Sequence, residues 1–161
     1  MRNVTEESRR QDLQSKRFQH TGVLLWWASR AWMAEFRRRL DQAGYEDLPD
    51  GAFHHVLPFL DIKGTRITVL AQRAEISKQA VNQFVDQLEK AGYVNRTADA
   101  SDGRAKIVRY VGRGLEFVRD NQRIKRELEH ALNGFLGAGQ LERLHETLRS
   151  VTRLLKGRDA I

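Results

Sequence analysis

The chain has 161 residues and a formal net charge of +7, with 40% hydrophobic and 30% charged residues. This length fits one ordinary domain or a small domain with helical additions, and the charge favours an anionic partner, either nucleic acid or an anionic membrane surface. The sequence contains no cysteine, which excludes disulfides, thiolate metal sites, cysteine nucleophiles and thiol-based redox sensing.

The N-terminal sequence predicts a soluble, cytoplasmic protein with no membrane partner. Residues 1–12 are polar and charged, so we expect a flexible arm rather than a secretory signal. The longest apolar run, from Val23 to Trp27, is far shorter than a membrane-spanning helix.

A long amphipathic helix is predicted next, within an N-terminal segment 13–47. From about residue 13 to residue 43, apolar side chains recur at helical spacing, and Ala43-Gly44 ends the pattern. The turn that follows contains Asp50, a residue type that caps helices, and leads to a short helix over about 51–60 that Pro58 kinks or ends early. The apolar positions of the long helix are Phe18, Leu25, Trp26, Trp32, Phe36 and Leu40.

The segment 48–113 predicts a winged helix-turn-helix. A short helix over 67–75 precedes a second helix that Ser77 caps and that runs to about residue 91, and Gly92 follows in a position suited to a left-handed backbone. Two strand-like pieces, 93–97 and 106–110, flank a turn-rich loop over residues 98–105, as in a β-hairpin.

Two further helices are predicted over the segment 114–161, at about 114–135 and 139–156. The first repeats apolar residues along one side, including Leu115, Ile124, Leu128 and Phe135. The second shows the 3-4-3-4 spacing of a helix that packs along another helix. Its apolar positions are Leu141, Leu144, Leu148, Val151 and Leu155.

The capped helix at Ser77 has the residue types of a recognition helix for DNA. Its inward positions are apolar, while the outward face is rich in amides and opens with a lysine. Asn and Gln pair with adenine edges through two hydrogen bonds, and Lys reaches guanine acceptors or phosphate. The inward residues are Val81, Phe84, Val85 and Leu88, and the outward ones are Lys78, Gln79, Asn82, Gln83 and Asp86.

The hairpin adds basic residues beside this helix. Arg96 ends one strand, Arg104 lies on the tip and Lys106 begins the next strand, so the hairpin is suited to phosphate or to a narrow minor groove. An ion pair with an acidic neighbour is the alternative for Arg96. The segment from Arg66 to Arg113 contains nine Lys and Arg and five Asp and Glu, so its net charge is +4. The charge excess is therefore concentrated in the segment that is predicted to contact the groove.

These residues resemble the MarR family of bacterial regulators. The similarity lies in Leu70-Ala71, Ile76-Ser77, Val81, the run from Val85 to Glu89, Gly92-Tyr93-Val94, Arg96, Asp102-Gly103-Arg104 and Gly114. It covers about 50 positions closely and the rest of the chain loosely.

The resemblance implies a mainly α fold with a small β-hairpin wing, in which the N- and C-terminal helices interlock across a two-fold axis. It implies a homodimer that binds pseudo-palindromic double-stranded DNA, represses transcription and is released by a small ligand. Asp102 would position Arg104 through a salt bridge. The DNA-binding residues are then Ser77, Lys78, Gln79, Asn82, Gln83, Arg96, Asp102, Arg104 and Lys106.

The same resemblance suggests a ligand cleft between the dimer helices and the winged domain, lined by Trp26, Trp32 and His54. Packing of the tryptophans in the core is the simpler alternative. A small aromatic or amphipathic acid is a plausible effector. The adjacent His54 and His55 point to different sides of a helix, which disfavours a metal site, and no cofactor is predicted.

Other function classes remain for comparison. The sequence has no glycine-rich phosphate loop, no HExxH and no Gly-x-Ser-x-Gly, so no enzyme is predicted. A non-specific architectural protein, an RNA-binding protein or a winged-helix protein-interaction module would fit the charge equally well, and they differ from the leading hypothesis in sequence preference.

Overall fold

The computed structural model describes residues 6–8, 10, 20–99 and 101–156, and within this range the side chain of Arg104 is not described. Helices and one small sheet account for most of these residues. In chain order they are α1 (Thr21–Gln42), α2 (Asp50–His55), a 3₁₀ turn (Leu57–Phe59), β1 (Thr65–Arg66), α3 (Ile67–Ala74), α4 (Lys78–Lys90), β2 (Val94–Asp99), β3 (Asp102–Tyr110), α5 (Arg113–Leu136) and α6 (Gln140–Lys156).

The predicted long N-terminal helix begins later than expected. His20, with φ −73° and ψ 134°, is extended and precedes α1, so one continuous helix from about residue 13 is ruled out. Phe18 lies outside the described residues. Residues 6–8 and 10, in the segment predicted to be a flexible arm, are helical.

The short helix α2 ends early, as Pro58 predicted, because the chain passes into a 3₁₀ turn at Leu57. The prediction that Asp50 caps this helix is wrong. Pro49 is the N-cap residue, and Asp50 is the first residue of α2. The Asp50 carboxylate instead pairs with the guanidinium of Arg37 on α1 at 3.0 Å, which ties the two helices together.

The sheet is larger than the predicted hairpin. Its strand order is β1-β3-β2, and Thr65 pairs with Val108 in the edge strand that sequence patterning did not predict. The predicted loop over residues 98–105 is also shorter, because β2 extends to Asp99 and β3 begins at Asp102. The strands of the wing are therefore longer than the sequence suggested.

An aromatic cluster joins the end of α1, the start of β2 and the start of α5. The rings of Tyr45 and Phe117 meet edge-to-face at 5.5 Å, and those of Tyr93 and Phe117 at 6.1 Å. The Tyr93 hydroxyl donates to Asp47 at 2.8 Å, and the Tyr45 hydroxyl donates to Asp120 at 2.8 Å. These contacts fix the winged domain against the long helices.

The terminal helices bury only part of their apolar surface within the chain. In α5, Ile124 and Leu128 are buried as predicted, but Leu115 and Phe135 are exposed. Phe117, which the predicted apolar series omitted, is 2% exposed and takes part in the core. In α6 only Leu141 of the predicted seam is fully buried.

The observed fold confirms the predicted class, which is mainly α with a winged helix-turn-helix. Among the described residues, no helix combines the length and apolar character needed to cross a membrane.

Candidate nucleic-acid interface

The turn between α3 and α4 presents the start of α4 to solvent. Glu75 adopts a left-handed conformation with φ 54°, which ends α3 and begins the turn to α4. The Ser77 hydroxyl then accepts a hydrogen bond from the Ala80 amide at 3.1 Å, which confirms the predicted N-cap. Since Ser77, Lys78 and Gln79 are exposed, the first turn of α4 offers amide donors and side chains to an anionic partner.

The outward face of α4 remains open, as the sequence predicted. Val81, Val85 and Leu88 are fully buried and hold the helix on the core. Because their spacing follows the helical period, the opposite side of the same turns faces solvent. The exposed side chains on that side are Lys78, Gln79, Asn82, Gln83, Asp86 and Gln87.

Phe84 connects α4 to the short helix α2. Its ring stacks on His55 with centroids 5.9 Å apart and an angle of 14°. At Gly51 of α2, a Cβ atom would lie 2.2 Å from Cε1 of Phe84. The close approach of α2 to α4 therefore depends on the absence of a side chain at Gly51.

Arg96 pairs with acidic neighbours, which was the alternative to a phosphate contact. Its guanidinium binds Asp86 at 2.7 Å and also Glu89, and its side chain is only 19% exposed. The same guanidinium contacts the Asn82 carbonyl oxygen at 3.0 Å and the Asn82 side chain at 3.4 Å. Arg96 thus links β2 of the wing to the outward face of α4.

A carboxylate near the wing tip holds the hairpin against β1. Asp99 accepts from the amide and hydroxyl of Ser101, both at 2.8 Å, and from Nε of Arg66 at 2.6 Å. The hydrogen bonds from Ser101, together with the Arg66 charge, lower the pKa of Asp99 to about 2. Neither Arg66 nor Asp99 was among the predicted site residues, since they lie 33 positions apart in the sequence.

The remaining predicted wing residues lie along β3. Lys106 is exposed and pairs in register with Ala98, and Asp102 is exposed at the start of the strand. The predicted salt bridge between Asp102 and Arg104 lies outside what is described, because it requires the Arg104 side chain.

Ion pairs engage most of the described arginines of the segment 66–113. Arg66 pairs with Asp99, Arg73 with Asp61 at 2.8 Å, and Arg113 with Asp47 at 2.6 Å. Within the described part of the chain, the exposed Lys78 and Lys106 make no ion pair. These lysines are therefore the better candidates for phosphate contacts.

A cleft of about 510 Å³ lies between α1, α2, the end of β3 and α5. Trp32 and His54 line it, as predicted, but Trp26 does not. Trp26 is 53% exposed and lines a neighbouring groove of about 530 Å³, which His54 also lines. The cleft has an aromatic wall that includes Phe36 and a polar edge that includes Lys125.

Lys125 was not predicted as a cleft residue. Its ammonium lies 5.9 Å from the centre of the Phe36 ring, which combines a cation with an aromatic surface in the same cleft. Lys125 lies among other charged residues of α5, so the sequence did not distinguish it from them. The cleft forms only when α1 and α5 pack together.

The geometry of α4 and the wing defines a winged helix-turn-helix of the kind found in DNA-binding proteins. A family model described as MarR family matches residues 51–105, the segment that carries these elements. A search of curated protein sequences finds no match.

Several solved structures share the fold of this chain. The crystal structure of transcriptional regulator PA3341 is 25% identical, with a TM-score of 0.68 over 86% of this chain and 100% of that chain. The transcriptional repressor CouR bound to a 23-mer DNA duplex is 22% identical, with a TM-score of 0.69 over 86% of this chain and 96% of CouR. NadR in complex with 4-hydroxyphenylacetate is 23% identical, with a TM-score of 0.60 over 82% of this chain and 92% of NadR.

The resemblance to the MarR family inferred from the sequence is confirmed over residues 51–105, the segment that the family model matches. Members of the family that this segment matches are transcription regulators rather than enzymes, which agrees with the prediction that the chain is not an enzyme.

Proposed function

We propose that this protein is a homodimeric, ligand-responsive repressor that binds a pseudo-palindromic operator, with α4 in the major groove and the wing on the adjoining backbone. The observation that carries the proposal is the capped α4 helix, whose outward face exposes amide side chains while its inward face is buried. The sequence-predicted contacts are kept for Ser77, Lys78, Gln79, Asn82, Gln83, Arg104 and Lys106, and Asp102 is kept as the partner that positions Arg104.

The dimer would place two α4 helices in successive major grooves, about 34 Å apart, as in other helix-turn-helix dimers. Supporting this proposal, exposed apolar side chains lie on the terminal segments 13–47 and 114–161 rather than on the face of α4. They include Trp26, Trp27, Phe135, Leu154 and Leu155. Such an arrangement is typical of an association surface.

The cleft lined by Trp32, His54 and Lys125 is the proposed effector site. Its aromatic wall suits a flat apolar group, and the lysine ammonium suits a carboxylate. NadR, which shares the fold, was solved with 4-hydroxyphenylacetate. We therefore propose a small aromatic acid as the class of effector for this protein.

Selection of bound fragments from random duplex DNA tests the proposal. We expect a short inverted repeat, with affinity that falls steeply as salt rises because Lys and Arg displace counterions from phosphate. Gln83→Ala is expected to relax preference at one base pair of each half-site, since the first turns of a recognition helix contact base edges. Arg104→Ala is expected to lower affinity evenly on all sequences.

Gln87→Ala is the matched control, because Gln87 is an exposed amide on the same helix but one turn farther from its N-terminus. Parent-like preference in Gln83→Ala would contradict the assignment of the groove-facing residues. Equal binding of random duplex would favour an architectural protein, and preference for RNA would favour an RNA-binding protein.

Small aromatic acids added to the selected protein–DNA complex are expected to release the DNA, and Trp32→Ala is expected to abolish that release.

A further inference from the structure

The guanidinium of Arg96 reaches across from the wing to three residues of α4. It binds Asp86 at 2.7 Å and Glu89 beside it, while the Arg96 backbone amide donates to Glu89 at 2.6 Å. Nη2 also donates to the Asn82 carbonyl oxygen at 3.0 Å. With two carboxylates already around this cation, a phosphate brought to the same place would meet opposing negative charge.

The Asn82 side chain is held by two partners of opposite kind. Its Oδ1 accepts from Nη2 of Arg96 at 3.4 Å, sharing a hydrogen with that nitrogen's nearer acceptors, and its Nδ2 donates to the Lys78 carbonyl oxygen at 3.0 Å. A guanidinium only donates and a carbonyl only accepts, so only one orientation of the amide satisfies both. A flipped amide would place its NH₂ group against the guanidinium and its oxygen against the Lys78 carbonyl oxygen, and neither pair can form a hydrogen bond.

After these two hydrogen bonds, the Asn82 amide still has a donor and an acceptor for a base. An Asn amide has two N–H donors and two lone pairs on oxygen. Because the protein uses one of each, one donor and one acceptor remain, which is the number that pairs with an adenine edge. Asn82 is exposed on the outward face of α4, where that edge would lie in the proposed complex.

We propose that Arg96 is a positioning residue for base recognition, which fixes the orientation of the Asn82 amide and does not itself bind phosphate. The inference rests on the proposed function, because it concerns the same α4 surface. Holding the amide in one orientation before DNA arrives removes part of the ordering entropy that a free side chain would lose on binding.

The test compares DNA selection profiles and salt dependence for the parent, Arg96→Gln, Arg96→Lys and Asn82→Ala. We expect both Arg96 variants to lose discrimination at the base pair where Asn82→Ala loses it, by about 5- to 150-fold, the range of one bidentate base contact. The slope of log affinity against log salt is expected to stay unchanged. Adding Arg96→Gln to Asn82→Ala is expected to change nothing further at that base pair.

Arg109→Gln is the matched control. Arg109 also lies in the wing, but it donates to Thr97 and to the Lys63 carbonyl oxygen rather than to α4. Loss of the bond to Lys63 is expected to loosen the base of the wing and to lower affinity evenly, while the parent base preference is kept. Thermal unfolding of each variant separates loss of preference from loss of fold, and Arg96→Lys keeps the positive charge beside Asp86 and Glu89 should Arg96→Gln fold poorly.

Several results would overturn the inference. An even loss of affinity with a salt slope shallower by about 1.8 for the dimer, about 0.9 for each subunit, would identify Arg96 as a phosphate contact. Loss of base preference at every position of the site, together with a lower unfolding midpoint, would identify a purely structural role for Arg96. Parent-like base preference in Arg96→Lys would show that the planar guanidinium is not needed. A parent protein that binds all duplexes alike refutes the proposed function itself, and the inference with it.

Discussion

Gly114 lies where the backbone of α5 comes closest to the start of β2. A Cβ atom at this position would lie 1.8 Å from the carbonyl oxygen of Tyr93 and 2.7 Å from its carbonyl carbon. That oxygen also accepts from the Val111 amide at 3.0 Å, so it cannot move aside without breaking the bond that joins the end of the wing to β2. α5 can therefore pack closely on the winged domain because Gly114 has only a hydrogen atom as its side chain.

We expect Gly114→Ala to lower the free energy of unfolding by about 1–3 kcal/mol or more, the usual cost of forcing extra volume into a packed site. Chemical denaturation followed by circular dichroism measures this loss. Gly134→Ala is the control on the same helix, where no atom lies within 4 Å of the added Cβ. Because alanine favours helix more than glycine does, the control is expected to gain up to about 1 kcal/mol. Equal stability of Gly114→Ala and the parent would contradict the predicted clash.

At the scale of elements, the wing is held at both ends of its hairpin. Near the tip, Asp99 joins Ser101 to Arg66 of β1, and at the base Arg109 donates to the Lys63 carbonyl oxygen. Asp99 is only 8% exposed, so these bonds are sheltered by the strands around it. The contact between the wing tip and β1 thus depends on an ionised carboxylate.

The contribution of Asp99 to the free energy of unfolding decreases at low pH. The folded-state pKa of Asp99 is about 2, below its usual 3.8, so its contribution is present above pH 4 and is lost as pH falls toward 2. We expect Asp99→Asn to be less stable than the parent at neutral pH and the difference in unfolding free energy to shrink between about pH 4 and pH 2. Urea denaturation across this range measures it, and a difference that stays constant with pH would count against the charged contact.

Local sequence patterns predicted the elements whose residues interact with near neighbours. The bounds of α4 follow from the Ser77 cap and Gly92, whose φ is 76°, and its buried face follows from helical spacing. β1 was not predicted, because a two-residue strand has no periodicity and pairs with Val108, which is distant in sequence. Arg66, Lys125 and the link from Arg96 to Asn82 were missed for the same reason, since each depends on how distant segments pack.

At the scale of the whole molecule, apolar surface is concentrated on the terminal helices. Phe135 is 86% exposed, and Leu154 and Leu155 are 81% and 76% exposed. The predicted seam of α6 is only partly used within the chain, since Leu144 and Leu148 each remain 37% exposed. This surface is available for a second copy of the chain.

We expect the parent to be a dimer and the double variant Leu154→Glu with Leu155→Glu to dissociate, because two carboxylates would be buried without partners in the interface. Light scattering after size-exclusion chromatography measures the mass directly. Ile62→Glu is the control, since Ile62 is 61% exposed but lies in the loop before β1. A parent that remains monomeric at micromolar concentration would contradict the proposed dimer.

All three tryptophans of the protein lie in α1, at positions 26, 27 and 32. Trp32 lines the cleft, whereas Trp26 and Trp27 lie on the outer side of the helix with their rings 4.9 Å apart. Tryptophan fluorescence therefore originates only from this helix, and α4 and the wing contribute no indole emission. A titration followed at tryptophan wavelengths reports on the cleft and the outer face of α1, so a separate label on the duplex can follow groove occupancy in the same cuvette.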